Sequence, residues 1–151
     1  MAGTQTTNNL GMVLPGTTSP DVTNPNAAIA LLAAALVTVD GSHNNVQKLT
    51  AAGAITIKSG TAFLNTGTAG AITLAAPAAG LPAAGGNDGQ RLAIIALDAF
   101  AYTVTTPANK INGADDTATW TAAVGNSIEL VAYNGVWYVV GTAKGVALTE
   151  V

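Results

Sequence analysis

Cysteine is absent from this chain of 151 residues, so neither disulfides nor thiolate metal sites are available, and the redox compartment stays open. Charge is almost as scarce. Five Lys and Arg, eight Asp and Glu and one histidine are all the chain carries, 9% charged residues against about 25% in an ordinary soluble domain. Catalytic sites and nucleic-acid surfaces are built from clustered ionisable groups. Here the cations Lys48, Lys58, Arg91, Lys110 and Lys144 are widely spread, and a net charge of −3 offers phosphates no basic stripe. Long apolar runs are missing too. The longest, Ala27 to Val37, falls short of the roughly 20 residues a bilayer requires, and the polar stretch before it has no positive charge, unlike a signal peptide. Aromatics make up only 5%.

What remains is Ala, Gly, Thr, Asn and β-branched residues, with mean hydropathy +0.41. A monomer with so little charge is poorly protected against association. The composition therefore favours a surface covered by copies of the chain or by a partner over a monomer solubilised by Thr and Asn.

Two regions are expected: an arm with a short helix over 1–45, and a β domain over 46–151. Residues 1–24 are polar and aperiodic, with Leu10, Met12, Val13 and Leu14 as the anchor by which an extended arm would grip a neighbouring surface. Asn24 and Pro25 suit the N-cap and first position of a helix, and Gly41 its stop. Within it Ile29, Leu32, Leu36 and Val39 form one apolar stripe, which fits self-association about a symmetry axis or docking on the chain's own sheet.

From about residue 49 the pattern becomes β. AGAITIK at 52–58 recurs as AGAITLA at 69–75, each alternating with period 2, which indicates stacked strand units and not a solenoid array. TAFLN between them reads as a further strand, and 76–90 as a Gly- and Pro-rich loop. RLAIIAL reads as a strand buried on both faces, with AYTVTT as its antiparallel partner. Asn134-Gly135 between SIELVAY and VWYVVG is the strongest local hairpin signal in the chain. Its expected core residues are Ile128, Leu130, Tyr133, Trp137 and Tyr138. The fold class expected is mainly β: an antiparallel sandwich or jelly-roll-like domain behind the arm and helix.

AITIKSGTAFLN and AITLAAP, then NDGQRLAII, AYTVTTPANKING and GNSIELVAYNGVWYVV, together resemble a β module of tailed-bacteriophage virion proteins: head fibres, capsid decoration proteins and some tail-fibre segments. LPGTTSPDVTNPNAAIALLAAALVTVDGSHNN is similar to the attachment segment of such fibres, where a Pro-Gly stretch leads into a short helix ending in an acid-His motif. The resemblance spans roughly residues 13–140 and rests on small and β-branched residues. It implies a structural protein on the outer capsid surface, a homotrimer whose partners are its own copies and the major capsid protein. Related segments often carry more than one histidine after the helix. This one keeps a single Asp40 and a single His43, so no axial metal is expected.

Individual residues support no enzyme. His43 has no second base beside it and reads as a loop histidine at a helix end. Asp115-Asp116 follows the Asn112-Gly113 turn without a calcium-loop pattern. The glycines at 85–89 lack the Lys-Ser/Thr of a phosphate cradle. Neither the spacing of Asp88, Asp98 and Glu129 nor any other pattern pairs two carboxylates for hydrolysis. No catalytic residue, cofactor or metal is expected, and neither nucleic acid nor membrane as partner. Trp120, Tyr133, Trp137 and Tyr138 suggest an alternative, a receptor-binding tail-fibre module that stacks host glycans on exposed rings, although rings on a hairpin are more often core. A bacterial surface-layer or adhesin segment is a third possibility, against which the lack of a recognisable signal peptide weighs.

Overall fold

Ten strands pair into two five-stranded sheets in a computed structural model that describes residues 45–150. The first sheet has the order β1-β3-β5-β8-β9, from Val46–Leu49, Gly60–Leu64, Arg91–Ala96, Ser127–Tyr133 and Val136–Val139. The second has the order β10-β7-β6-β4-β2, from Val146–Thr149, Thr117–Trp120, Tyr102–Thr105, Gly70–Leu74 and Gly53–Ile55. The expected mainly β, sandwich-like architecture is present. Its pairing is mixed, with four parallel and four antiparallel strand pairs.

The parallel half is a short coil. From β1 to β6 the chain changes sheet at every strand, so each strand lies parallel to the strand two places on. The two repeat copies are neighbours in it, β2 beside β4. They pair Gly53 with Ile72 and Ile55 with Leu74, two residues away from the alignment of the repeat. A shift of two preserves which face each side chain takes, so Ile55, Ile72 and Leu74 all point inward. The coil carries one strand further in each sheet, to β5 and β6, without repeating the sequence.

Two expectations about the middle of the chain are corrected by this topology. β5 and β6 are not antiparallel partners, since they lie in different sheets; β5 sits between β3 and β8, and β6 between β4 and β7. Nor is β5 buried on both faces. Leu92, Ile94 and Ala96 are buried, whereas Arg91 is exposed and Ala93 and Ile95 are half-buried, because only one side of the sheet is covered by the other sheet.

Between the sheets lies a core of small and medium side chains anchored by three rings, Trp120, Trp137 and Tyr102, each at most 1% exposed. Every ring has a polar handle satisfied inside the fold, as buried Tyr and Trp require. Trp137 Nε1 donates to the Ala75 carbonyl at 3.1 Å, and Trp120 Nε1 to the Asn126 carbonyl at 3.3 Å. The Tyr102 hydroxyl donates to Asp98.

The sandwich margins are closed by side-chain and backbone hydrogen bonds. Beside β1, Gln47 reaches across to the second sheet: its Nε2 donates to the Ala54 carbonyl at 2.8 Å and its Oε1 accepts from the Thr56 amide at 2.8 Å. At the other margin of the first sheet, residues 110–112 pair with β9 through Trp137 N to the Lys110 carbonyl and Asn112 N to the Trp137 carbonyl. The long loop at 76–90 is also tied down. Ala78 N donates to Asn87 Oδ1 at 2.7 Å, Asn87 N returns to the Ala78 carbonyl, and Asp88 Oδ1 accepts from the Asn134 amide at 2.7 Å. At Gly86 any Cβ would lie 1.9 Å from the Gly80 carbonyl oxygen, so only glycine fits there.

Candidate functional surfaces

Period-2 alternation gives each sheet an inner face and an outer face, and the two outer faces differ. On the second sheet the outward positions are Thr and Ala throughout. Thr73, Thr105, Thr117 and Thr149 follow one another across β4, β6, β7 and β10, and Ala71, Thr103, Thr119 and Ala147 form the row beside them. The first sheet turns larger groups outward. Lys48, Phe63, Ile95 and Ser127 form one row across β1, β3, β5 and β8, and Arg91, Val131 and Tyr138 another across β5, β8 and β9. Val46 at one end is 64% exposed and Tyr133 at the other 62%.

This larger-residue face carries one ion pair, with Lys48 apart from it on β1. Arg91 Nη1 and Glu129 Oε1 meet at 2.8 Å across β5 and β8, with both side chains well exposed. In water such a pair is worth about 0.2–1 kcal/mol, so here it matters more as mutual neutralisation than as stability.

The hairpin of β8 and β9 forms as its turn signal requires, with Asn134 at φ 48° and Gly135 at φ 76°, the left-handed conformations of a type I′ turn. Ile128, Leu130 and Trp137 are in the core as expected. Tyr133 and Tyr138 are not. Each lies one residue off an inward position: Ala132 and Trp137 form the inner cross-strand pair, while Tyr133 opposes Val136 and Tyr138 opposes Val131 on the outside. The same alternation dismantles the ring platform suggested by the sequence. Trp120 and Trp137 are buried between the sheets, which leaves two tyrosines, diagonal to each other, on the outer face.

The remaining candidates separate widely. Asp98 accepts from the Tyr102 hydroxyl through Oδ1 and from the Gly67 amide through Oδ2 at 2.9 Å, so it joins two loops at one end of the sandwich. Burial, and after it the hydrogen bond to Asp98, raises the Tyr102 phenol above its ordinary value of 10.0, with bonds from Thr66 opposing. Asp88 holds the hairpin turn, and Glu129 lies in the outer ion pair, so no two of these three carboxylates are placed together. Asp116 is buried with its Oδ1 accepting from the Thr117 hydroxyl at 2.8 Å. Among the described residues no group of three or more His, Asp or Glu could hold a metal ion. No described helix is long and apolar enough to cross a membrane.

A shallow cleft of about 580 Å³ lies at the β2 margin of the second sheet, lined by Ile55, Lys58, Leu74, Thr105 and Pro107. Desolvation lowers the Lys58 ammonium from its usual range, and Nζ lies 3.4 Å from the Ala75 carbonyl. The expected arm anchor Leu10, Met12, Val13 and Leu14, the stripe Ile29, Leu32, Leu36 and Val39, and His43 lie outside the described residues.

No protein-family model, curated protein or solved structure matches the chain.

Proposed function

We propose that the chain is a structural protein of a bacteriophage virion, a capsid decoration or head-fibre protein that binds the outer shell as a homotrimer. The observation that carries this reading is the outer face of the first sheet, where Val46, Phe63, Ile95, Val131, Tyr133 and Tyr138 share the surface with only Lys48 and the Arg91–Glu129 pair as charges. Exposed apolar patches of this kind mark interaction surfaces. The sequence resemblance supplies the context, a β module that assembles on a shell of major capsid protein.

Burial of both tryptophans weighs against the alternative glycan-binding tail-fibre module, because base rings for stacking sugars are withdrawn into the core. The mechanism of a decoration protein is additive burial: each copy covers apolar surface and bridges shell subunits, at about 25 cal/mol per Å² of apolar area removed from water.

Purified chain mixed with capsids that lack it should cosediment with them to a saturating ratio and raise the temperature at which they release DNA. Failure to bind any such shell, together with hits on a host-glycan array, would decide for the tail-fibre module.

A further inference from the structure

We infer that Asn134, at the tip of the β8–β9 hairpin, is a site of spontaneous covalent modification, where the chain converts its own asparagine to aspartate and isoaspartate. Among the described residues only Asn112 and Asn134 are followed by glycine. Glycine has no Cβ to keep its nitrogen away from the preceding side chain, so these two pairs are the ones open to ring closure. The Gly135 nitrogen gives up its proton to solvent base and bonds to Asn134 Cγ. The bond from Cγ to the side-chain nitrogen breaks, and that nitrogen takes a proton from water and leaves as ammonia. Water then opens the five-membered imide. Cleavage at Cγ gives aspartate; cleavage at the main-chain carbonyl gives isoaspartate, with the backbone routed through Cβ and Cγ.

The two Asn-Gly pairs are matched in backbone and differ in side chain. Asn112 and Gly113 have φ of 51° and 78°, against 48° and 76° for Asn134 and Gly135. In each pair the asparagine N–H is already bonded, Asn112 to the Trp137 carbonyl at 2.8 Å and Asn134 to Asp88 Oδ1 at 2.7 Å. The Asn112 carboxamide is held as well. Its Oδ1 accepts from the Val139 N–H at 3.0 Å, so Cγ can swing toward Gly113 only by giving that bond up. Asn134 is exposed, and its carboxamide makes no hydrogen bond among the described residues. Loss of one ordinary hydrogen bond slows a step by roughly two- to tenfold, which sets the expected preference for Asn134. Either product disturbs the loop that the hairpin holds. A new carboxylate at 134 sits on the residue whose N–H Asp88 accepts, so like charges replace a neutral neighbour. Isoaspartate also adds a methylene to a two-residue turn whose length sets Tyr133 opposite Val136.

The chemistry requires no partner, so the full-length protein alone tests it. Held at mildly alkaline pH in heavy-oxygen water, the protein labels each acid it forms, and peptide mapping by mass spectrometry reads Asn112 and Asn134 separately. The same incubation in guanidinium chloride gives the intrinsic rates of the two sites. Conversion of Asn134 relative to Asn112 should be roughly two- to tenfold higher in the folded protein than in the unfolded chain. Isoaspartyl methyltransferase should label residue 134, and amide exchange over 76–90 should rise in the converted fraction. Equal ratios in the folded and unfolded chain, or a folded protein that converts Asn112 and spares Asn134, would overturn the assignment. So would a folded protein in which neither site reacts while both react in denaturant.

Discussion

Trp137 is the side chain on which the reading of the hairpin turns, and replacing it by phenylalanine separates the roles of its two neighbouring tyrosines from its own. The indole is 0% exposed and lies opposite Ala132 on the inner side of the β8–β9 pair, with Nε1 donating to the Ala75 carbonyl. Trp137→Phe leaves a smaller ring, at about 1–2 kcal/mol for the lost contact volume. It also leaves the Ala75 carbonyl without its indole partner, at about 1–3 kcal/mol if no water reaches it. The sum is about 2–4 kcal/mol, a large fraction of the 5–15 kcal/mol typical of a folded domain. For a β domain of this size that corresponds to a fall in Tm of roughly 10–20 °C. Tyr138→Phe, one residue along and on the outer face, should change Tm by about 1 °C or less. Thermal and denaturant unfolding followed by circular dichroism give the Tm shifts and the free energies respectively. A Trp137→Phe cost below about 0.5 kcal/mol, or equal costs for the two substitutions, would refute the placement of the rings.

Two further outcomes follow from the loops. Tyr102 has its phenol raised above 10.0 in the folded protein, so folding favours the protonated form. That contribution is complete below the unfolded value near 10 and is lost as pH rises from there through the folded value; between pH 7 and 9 it is constant. Stability of the wild type should therefore fall more steeply above pH 10 than that of Tyr102→Phe, measured by urea midpoint, and parallel profiles would rule the buried phenol out. Gly86→Ala should destabilise the 76–90 loop by more than 2 kcal/mol, because its Cβ would meet the Gly80 backbone oxygen at 1.9 Å, and a Tm within 2 °C of wild type would contradict that packing.

Local structure was legible in the sequence wherever the signal itself was local. Asn134-Gly135 specifies a turn type and hence a register, and the alternation of SIELVAY identifies its buried positions. The partners of the other strands are set by distant contacts. β5 and β6 are separated by only Leu97–Ala101, the spacing of a hairpin, yet the chain crosses between sheets there. The reason lies in that connection: Leu97 N bonds back to the Leu64 carbonyl, and Asp98 ties to Gly67 and Tyr102, so the loop extends the coil begun by β3 and β4 instead of folding β6 back on β5. Residue pattern reveals which side chains are inward but not toward which sheet. The repeat at 52–58 and 69–75 did carry that information, since two copies of one strand stacked in parallel are neighbouring turns of a coil. The loop at 76–90 hides the third turn by inserting its length between β4 and β5.

The candidate surface was legible only in part. Tyr133 and Tyr138 were expected inside because large rings favour cores, but parity decides their side, and parity places them with Glu129 and Val131. The few charges explain why the face they join is apolar. Asp88 holds the hairpin turn, Asp98 two loops, Asp116 the hydroxyl of Thr117, and Glu129 the Arg91 guanidinium. Asp88 and Asp98 thus join separate segments, whereas Asp116 bonds its chain neighbour and Glu129 sits in an exposed pair. A chain with this little charge has few charged groups on its outer sheet faces: Lys48, Arg91 and Glu129 on the first. One face presents hydroxyls, with Thr73, Thr105, Thr119 and Thr149 exposed on β4, β6, β7 and β10. The other carries aliphatic and aromatic groups instead, so its exposure costs free energy that only a covering surface can recover.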